Sequence, residues 1–375
     1  MFLVDAHQDL AWNMLTFGRD YSRPAAATRR LEAGTPTVER NGDTLLGWPD
    51  YQQGQVGLIF ATLYIGPKRR ALGAWDKLSY ETIAEAHRFT RMQLDAYHQL
   101  VETHPQKFRL IGSLEELDSL LAVWQPLDAA PPAGESAYRA ALEGQGNPVG
   151  LIPLMENAEG IRHPDELDDW WQAGLRIIGP AWAGTRFCGG TREPGPLTPE
   201  GYALLRAMAE RGFILDLSHM DEQAALQALD FYEGTLIASH ANALAMLPGV
   251  KSNRHLTDRL IDGLIAREAV IGVVPANVFL DPEWRQHQQK GRVGLRKVAE
   301  QIDYICQRAG DARHVALGTD FDGGFGVQAV PHEIDTIADM QRLIPLLEAM
   351  GYAQSDIAAI FHRNWLDCLR RGWQR

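Results

Sequence analysis

The amino-acid sequence predicts an α/β fold, a closed (β/α)8 TIM barrel in which short strands alternate with helices. Short apolar runs recur about eight times, and segments with the 3.6-residue period of amphipathic helices lie between them. Because the runs are apolar throughout, the strands are expected to be buried on both faces, as in a parallel sheet covered by helices. An open doubly wound sheet is the alternative, but no glycine-rich phosphate-binding loop follows any of the runs.

The predicted strands are short and contain β-branched residues: Phe2–Val4, Val56–Leu63, Val149–Leu154, Leu175–Ile178, Phe213–Leu217, Thr235–Ala238, Ala269–Val274 and His314–Leu317. The clearest predicted helices are Tyr80–Thr103, Pro199–Glu210, Asp221–Asp230, Thr257–Arg267, Gly294–Ala309 and Ile334–Met350. The stretch 125–147 is rich in Pro, Gly and Ala, and we expect an irregular surface insertion there. Residues 1–375 are therefore expected to form a single barrel domain that carries this insertion.

Composition excludes several classes of partner. The formal net charge of -12 argues against a nucleic acid or an acidic membrane, because both require a basic face. The chain has three widely spaced cysteines, which suit a reducing compartment rather than a disulfide framework. No apolar run approaches the roughly 20 residues of a membrane span, and nothing resembles a signal peptide. We expect a soluble, cytoplasmic protein.

The N-terminal run ends in His7-Gln8-Asp9, directly after a predicted buried strand. Side chains alternate between the faces of a strand, so His7 and Asp9 point the same way. An imidazole and a carboxylate on one face form a natural pair of metal ligands. A hydrogen-bonded pair at the start of the next helix is the alternative.

The other predicted strands decide between these interpretations, because the chemistry of a barrel lies at the carboxyl ends of its strands. Five predicted strands end in residue types that bind metals: His7 and Asp9, Glu156, His219, His240, and finally Asp320 with Asp322. Each has an ordinary alternative, such as a loop histidine, a helix N-cap or a turn aspartate. Together on one rim they predict a metal centre.

The number of candidate ligands indicates two ions, because a cation such as Zn²⁺ takes only four or five donors. Glu156, on a middle strand, is best placed to bridge two ions about 3.5–4 Å apart. A water bridging both would be acidified to hydroxide near neutral pH. Asp320, last on the rim, is placed to orient that water and accept its proton. The predicted chemistry is metal-assisted hydrolysis of a carbonyl bond.

Five short motifs occur in this order along the chain: Asp5-Ala6-His7-Gln8-Asp9, Met155-Glu156-Asn157, Asp216-Leu217-Ser218-His219, Ser239-His240 and Gly318-Thr319-Asp320-Phe321-Asp322-Gly323. In these motifs the chain resembles the membrane dipeptidase (renal dipeptidase) family of the metal-dependent amidohydrolase superfamily. The resemblance implies a barrel of the amidohydrolase type with two zinc ions, other divalent ions being an option. It also implies cleavage of dipeptides, often with a D-residue at the C-terminal position, and a homodimer.

The resemblance implies two ligand sets that share one carboxylate: His7, Asp9 and Glu156 for the first zinc, and Glu156, His219 and His240 for the second. Asp320 corresponds to the family's catalytic aspartate, which in related enzymes also touches the first metal. Arg254 matches the arginine that receives the substrate's C-terminal carboxylate, a role that suits a bidentate guanidinium. A solvated loop arginine is the alternative for Arg254.

One position departs from the family pattern. The family often has a histidine after the fourth strand that contacts the substrate carbonyl, and Trp182 stands there in this chain. Indole can donate one hydrogen bond but carries no charge. Either Trp182 or Arg186 takes over the oxyanion role, or the substrate is not an ordinary dipeptide; Trp182 is equally suited to be an aromatic wall. Asn277, after the seventh strand, is a further candidate for contacting substrate, with a turn residue as its alternative.

A zinc dipeptidase that uses a metal-bridging hydroxide is therefore the leading hypothesis. A second hypothesis keeps the metals and changes the substrate to another small amide, an N-acyl amino acid or a lactone, and Trp182 favours it. A third is a binding protein that has kept the barrel without catalysis. The full set of buried charged residues argues against the third, because such residues are costly to retain without a use.

Overall fold

The barrel strands follow the order of the apolar runs. The computed structural model describes residues 1–128 and 134–373. Its barrel strands are β1 (Leu3–Gln8), β2 (Val56–Leu63), β3 (Val149–Met155), β4 (Ile177–Ile178), β5 (Ile214–Asp216), β6 (Leu236–Ile237), β7 (Ile271–Val273) and β8 (Val315–Leu317). Every strand is buried along its whole length. A barrel sheathed in helices requires this burial, and it explains the continuously apolar sequence.

The strands form a closed parallel barrel. β1 to β6 pair in sequence order within one sheet, and β7 pairs with β8. The pairing of Ala238 with Ile271 joins β6 to β7. The pairing of Gln8 with Phe321 joins the end of β8 to β1, where the Asp320 amide also donates to the His7 carbonyl at 3.0 Å. The predicted (β/α)8 barrel is confirmed.

Helices occupy much of the remaining chain: α1 (Leu10–Phe17), α2 (Ala25–Glu32), α3 (Pro36–Asn41), α4 (Trp48–Gly54), α5 (Ile83–Thr103), α6 (Leu114–Val123), α7 (Gly134–Leu142), α8 (Leu167–Gln172), α9 (Pro199–Arg211), α10 (Glu222–Phe231), α11 (Asp258–Ala266), α12 (Trp284–His287), α13 (Arg296–Ala309), α14 (Leu343–Ala349), α15 (Gln354–Ala358) and α16 (Asn364–Trp373). Short strands outside the barrel are Gly66–Pro67, Ser79–Tyr80, Phe108–Leu110, Cys188–Gly190 and Glu193–Leu197. The 3-10 segments are Lys68–Arg70, Ala158–Gly160, Pro164–Glu166, Leu244–Met246, Asn277–Phe279, Lys290–Arg292, Val327–Ala329 and Ile337–Arg342, and Ala359–Arg363 is a π-helical turn. No helix in the described part of the chain is both long enough and apolar enough to cross a membrane.

Several helices begin one residue or more after the predicted start, because a capping residue precedes them. Thr82 caps α5 through a capping box with Glu85, while Asp221 caps α10 and Thr257 caps α11. In each case the side-chain oxygen accepts a hydrogen bond from a backbone amide of the first turn. These caps fix where each helix leaves the rim of the barrel.

The prediction of one helix over Ile334–Met350 is wrong. The structure has the 3-10 segment Ile337–Arg342 followed by α14. Pro345 explains the break, because it has no amide to donate to the Gln341 carbonyl and its ring crowds that carbonyl in a continuous helix. The proline instead lies in the first turn of α14, where no donor is needed.

The stretch 125–147 is less irregular than expected. Helix α7 covers Gly134–Leu142 within it and packs against α4. Residues 129–133 of this predicted insertion lie outside the described residues. The described part leads directly into β3.

Two glycines allow β6, β7 and β8 to approach closely at the rim. A Cβ on either Gly272 or Gly318 would overlap the carbonyl oxygen of Ser239. The absence of side chains at these positions lets Ser239 and His240 lie next to the residues that follow β8.

Candidate metal centre and substrate cavity

Three imidazoles converge on the Glu156 carboxylate at the carboxyl end of the barrel. Glu156 Oε1 lies 3.1 Å from His219 Nε2, 3.3 Å from His240 Nε2 and 3.5 Å from His7 Nε2. His219 Nε2 and His240 Nε2 are themselves only 3.0 Å apart. Glu156 is therefore the point that links the residues of β1 with those that follow β5 and β6.

A second group lies on the other side of His7. His7 Nε2 is 3.8 Å from Asp9 Oδ2 and 3.9 Å from Asp320 Oδ1. Two triplets each bring their ligand atoms within 4.8 Å of one another: His7 with Glu156 and His240, and His7 with Asp9 and Asp320. The structure thus brings together six of the seven candidate side chains at the strand ends, namely His7, Asp9, Glu156, His219, His240 and Asp320.

The polar atoms of this group lack partners that their burial demands. His7 Nε2 and Asp9 Oδ1 are buried, and neither has a hydrogen-bond partner among the described residues. Buried polar atoms are nearly always satisfied, because leaving one unpaired costs about 1–3 kcal/mol. Unpaired nitrogen and oxygen lone pairs aimed at one space are what a divalent cation would satisfy. The donor set therefore fits metal ions.

Ser239 sets the protonation of the imidazole of His240. The Ser239 hydroxyl donates to Asp216 Oδ2 at 2.5 Å, and Asp216 Oδ1 also accepts the backbone amides of Ser218 and Ser239. Having given its one proton to Asp216, the Ser239 hydroxyl can only accept from His240 Nδ1, 2.8 Å away. His240 must then carry its proton on Nδ1, which leaves the Nε2 lone pair facing Glu156.

The other two imidazoles have comparable partners. His219 Nδ1 lies 3.0 Å from the Thr191 hydroxyl, and His7 Nδ1 lies 3.5 Å from the same Ser239 hydroxyl that holds His240. Hydrogen bonds of this kind fix the tautomer and the ring orientation of metal-binding histidines. The hydrogen-bonded pair of Asp216 and Ser239 therefore positions the rings of both His7 and His240.

Replacing Ser239 with alanine is expected to weaken zinc binding about 10-fold to 100-fold, the usual effect of losing such a supporting hydrogen bond. The affinity would be measured by competition with a chromogenic chelator. Ser355→Ala is the matched control, because Ser355 is exposed on α15. Equal zinc affinity in Ser239→Ala and the native protein would contradict this role.

Burial shifts the pKa values in the group toward the uncharged forms. Burial, the charge of Asp9 and that of Asp320 raise the pKa of Glu156, while burial and Asp9 raise the pKa of Asp320. Burial and Asp322 raise the pKa of Asp9 to about 7. Burial also lowers the pKa values of His7, His219 and His240, so the imidazoles are neutral ligands. Carboxylates this close cannot all be ionised unless added positive charge compensates them.

The metal-free protein is expected to lose stability as the pH rises from about 7 to 8, above the ordinary pKa of histidine. Burial and Asp322 raise the pKa of Asp9 to about 7, and the pKa values of Glu156 and Asp320 are raised well above their usual values, so the folded state holds protons that the unfolded chain has released. When the native state binds more protons, the free energy of unfolding falls with increasing pH. Below about pH 6.5 the buried neutral histidines act in the opposite direction, because unfolding lets them take up protons.

Thermal unfolding of chelator-treated protein at several pH values would test this, with zinc-loaded protein as the control. Bound cations keep the carboxylates ionised, so the loaded protein should show a smaller decline or none. A metal-free protein whose Tm rises with pH relative to the loaded form would contradict the expectation.

Backbone conformation separates Asp320 from Asp322. His219, Asp320 and Asp322 have positive φ angles of 66°, 57° and 64°, which are uncommon for residues other than glycine and concentrate at functional sites. After β8 the chain no longer alternates as a strand does. Asp320 consequently faces His7, whereas Asp322 points away from the metal-ligand group.

The sequence prediction that Asp322 joins the rim cluster is therefore wrong. Its carboxylate accepts hydrogen bonds from Arg19, Tyr21, Thr44 and the Leu45 amide. Asp322 ties the loops after β1 to the end of β8, a structural role. Asp5 is similar, because it binds Gln8 and Thr319 and braces β1 against β8 from behind the ligand group.

A cavity of about 750 Å³ opens over the group and is lined by Asp9, Glu156, His219 and Asp320 among others. Arg254 reaches into it, buried, with Nη2 donating to the His240 carbonyl at 2.7 Å. Arg254 Nη1 has no hydrogen-bond partner among the described residues. A buried guanidinium with a free donor edge beside the ligand group is suited to bind a carboxylate.

Part of the cavity lining is aromatic and includes Trp12, Tyr64 and Trp182. The Trp182 ring lies 6.1 Å from the His219 ring and 5.2 Å from that of Tyr64, centroid to centroid. Trp182 thus occupies the place that the sequence predicts, next to the ligand group. Sequence reasoning passed over Trp12 and Tyr64, although Tyr64 directly follows a predicted strand and Trp12 lies in α1, the helix that follows β1.

Two predicted substrate residues lie differently. The Arg186 guanidinium is bound to Glu159, Glu200 and backbone carbonyls and does not line the cavity. Asn277 is buried and donates to the Val330 carbonyl at 3.0 Å, while its neighbours Ala276 and Val278 face the cavity. Because Glu159 binds the Arg186 guanidinium outside the cavity, the prediction that Arg186 could stabilise an oxyanion is wrong. Asn277 likewise takes no part in the cavity lining.

The sequence model described as "Membrane dipeptidase (Peptidase family M19)" matches residues 135–372. A Klebsiella pneumoniae protein described as "Uncharacterized protein in pqqA 5'region" is 33% identical over 237 residues, covering 60% of this chain and 83% of that protein. Dipeptidase tcpJ of Claviceps purpurea is 28% identical over 328 residues, which is 85% of this chain and 67% of that protein.

Among solved structures, a metallo peptidase from Rhodobacter sphaeroides superimposes with a TM-score of 0.74 and 23% identity, covering 100% of this chain and 99% of that one. At this identity the similarity concerns the fold. It agrees with the barrel topology traced above.

Proposed function

This chain belongs to the membrane dipeptidase family, peptidase family M19, and from that membership we propose that it hydrolyses the peptide bond of dipeptides with two zinc ions bound. The observation that carries this proposal is the position of the Arg254 guanidinium. Arg254 lines the same cavity as the converging carboxylates, and its buried Nη1 has no hydrogen-bond partner among the described residues. A small substrate with a free carboxylate next to its scissile bond matches that pairing of an anion site with a metal site.

We propose two ligand sets: His7, Asp9 and Asp320 on one side, and Glu156, His219 and His240 on the other, with Glu156 close enough to His7 to serve both. Bound divalent ions would supply Lewis acidity toward the peptide carbonyl and a more acidic water. Zinc suits the mixture of imidazole and carboxylate donors, although other divalent ions fit the same set.

The chain's own residues supply binding and proton transfer. Arg254 binds the C-terminal carboxylate and so holds the scissile bond over Glu156 and Asp320. Asp320 accepts the proton of the attacking water and returns it to the leaving amine, a role that suits a carboxyl whose pKa burial and Asp9 raise well above its usual value. Trp182 and Tyr64 exclude water on the far side of the substrate.

Trp182 favours a second candidate function, because it occupies the position where the family often has a histidine that contacts the carbonyl. An enzyme without that histidine binds the carbonyl group of an ordinary dipeptide less strongly. Hydrolysis of an N-acyl amino acid, a lactone or another small amide is therefore the alternative.

The test is zinc stoichiometry followed by hydrolysis assays on L,L-, L,D- and D,D-dipeptides and N-acyl amino acids. L,D-peptides belong in the panel because the Rhodobacter sphaeroides neighbour was crystallised with a phosphinate mimic of L-Ala-D-Ala. We expect two zinc ions per chain and turnover of dipeptides. Less than one tightly bound zinc would contradict the binuclear proposal, and activity restricted to N-acyl amino acids would favour the alternative.

We propose the cytoplasm as the working compartment. Cys188, Cys306 and Cys368 are all free and buried, which suits a reducing environment. The homodimer implied by the family resemblance stays a prediction, to be measured by sedimentation.

A further inference from the structure

The cavity lining carries more positive charge than a single substrate carboxylate requires. Lys251, Arg254, His255 and Arg285 all line the cavity, as does Phe279. The guanidinium carbon of Arg254 lies 5.2 Å from the Phe279 ring centroid, and the His255 ring packs edge-on against that ring at 4.9 Å. Arg285 is close enough to His255 for its charge to lower the pKa of that imidazole. We call Lys251, Arg254, His255 and Arg285 the cationic wall.

The outer cations of this wall have no carboxylate partner. Lys251 and Arg285 are exposed, and neither forms an ion pair with any described residue. Elsewhere on the lining Arg70 is paired with Glu193 at 2.9 Å. Arg192, which also lines the cavity, is likewise exposed and forms no ion pair with any described residue. These unpaired cations focus positive potential into the cavity and attract anions.

The carboxylates of the lining are already engaged elsewhere. Asp281 accepts from His287 Nε2 at 2.9 Å and from the Glu283 amide. The remaining ones, Asp9, Glu156 and Asp320, belong to the metal-ligand group. An anion from outside is thus the available partner for the cationic wall.

His255 provides an independent indication of a ligand. Its side chain lines the cavity with the residue only 6% exposed, and its Nδ1 has no partner within the described structure. Burial, Arg254 and Arg285 lower the pKa of His255 to about 3, so the ring is neutral. A neutral imidazole next to two guanidinium groups donates its N–H to an anion.

We propose that the cavity is built for dipeptides whose C-terminal residue has an acidic side chain. Arg254 takes the terminal carboxylate, and His255 with Arg285 takes the side-chain carboxylate, while Lys251 adds attraction at the mouth. This inference rests on the proposed function, because it uses Arg254 to orient the peptide. A C-terminal aspartyl or glutamyl residue carries its side-chain carboxylate within a few bonds of the terminal carboxylate.

The experiment compares kcat/KM for Ala-Glu with that for its neutral isostere Ala-Gln, and for Glu-Ala with Gln-Ala. We expect at least about a tenfold preference for Ala-Glu, since a charge-assisted hydrogen bond in a partly buried site readily gives that ratio. The preference should shrink as salt screens the cationic wall. Equal rates for Ala-Glu and Ala-Gln would overturn the inference, as would a preference for Glu-Ala over Gln-Ala in its place.

Arg285→Gln is expected to bring the Ala-Glu to Ala-Gln ratio close to one. Arg30→Gln, which removes an exposed cation of α2 outside the cavity, should keep the native ratio. A native ratio in Arg285→Gln would overturn the assignment. Complete absence of dipeptide turnover would instead refute the proposed function. Calorimetric binding of Ala-Glu and Ala-Gln to the purified protein would then still decide the inference, with equal affinities overturning it.

Discussion

Replacing Asp320 with asparagine is expected to lower kcat at least about a hundredfold while zinc content stays near its native level. Proton transfer by a positioned carboxylate typically contributes a factor of 10² to 10⁴. The Asp320 carboxylate lies 3.9 Å from His7 Nε2 and faces the cavity. Asparagine keeps an oxygen there but cannot accept a proton at neutral pH.

The retained oxygen is why zinc content and turnover should separate. An amide oxygen still fills the space beside His7 and Asp9, so the ligand group keeps its shape. Burial and Asp9 raise the pKa of Asp320 and so make its carboxylate a better base. The substitution removes that basicity. Metal analysis and steady-state kinetics on the same preparation would measure both effects.

Asp95→Asn is the matched control, because Asp95 is exposed on α5 and does not line the cavity. It should leave kcat unchanged. Near-native turnover in Asp320→Asn with full zinc content would show that another group accepts the proton. Loss of zinc together with activity would instead make Asp320 mainly a ligand.

The strands and the ligand group could be predicted from sequence because both depend on local patterns. A buried strand is apolar over its length. The residue that follows it lies on the rim of the barrel, regardless of the conformation of the loop beyond it. His7, Glu156, His219 and His240 are fixed in this way, since each lies at or just beyond the end of a strand. No tertiary contact had to be known to bring them together.

The cavity walls could not be predicted because long-range contacts decide them. Trp182 and Arg186 lie in the same loop after β4, yet Trp182 faces the cavity while Glu159 and Glu200 hold Arg186 outside it. Neither glutamate belongs to that loop. Asp320 and Asp322 diverge for a different reason, because positive φ angles cancel the alternation that a strand would impose.

Gly323 explains how two carboxylates share the space next to His7. A Cβ built on Gly323 would overlap Asp320 Oδ1 and lie 2.7 Å from Asp9 Oδ2. Real Cβ atoms do not approach oxygen this closely, so a side chain here must displace both carboxylates. The glycine in the Asp320-Phe321-Asp322-Gly323 motif is therefore required by space rather than by backbone conformation, because its φ is not positive.

Gly323→Ala is accordingly expected to lower kcat/KM about a thousandfold, within the range for losing a catalytic carboxylate, and to reduce zinc content by about one ion per chain. The added methyl group should cost about 1–3 kcal/mol of folding stability, as overpacking usually does. Activity, zinc content and thermal unfolding would be measured on the same protein.

The neighbouring Gly324→Ala provides a matched control. A Cβ there meets nothing within 4 Å, although the φ of 84° makes any side chain strained. That strain costs about 1 kcal/mol, so Gly324→Ala should lose a little stability and keep its zinc. If both variants lose activity equally, backbone strain in this loop would account for the effect. If only Gly323→Ala loses zinc and activity, the close packing of Asp9 and Asp320 is what the glycine protects.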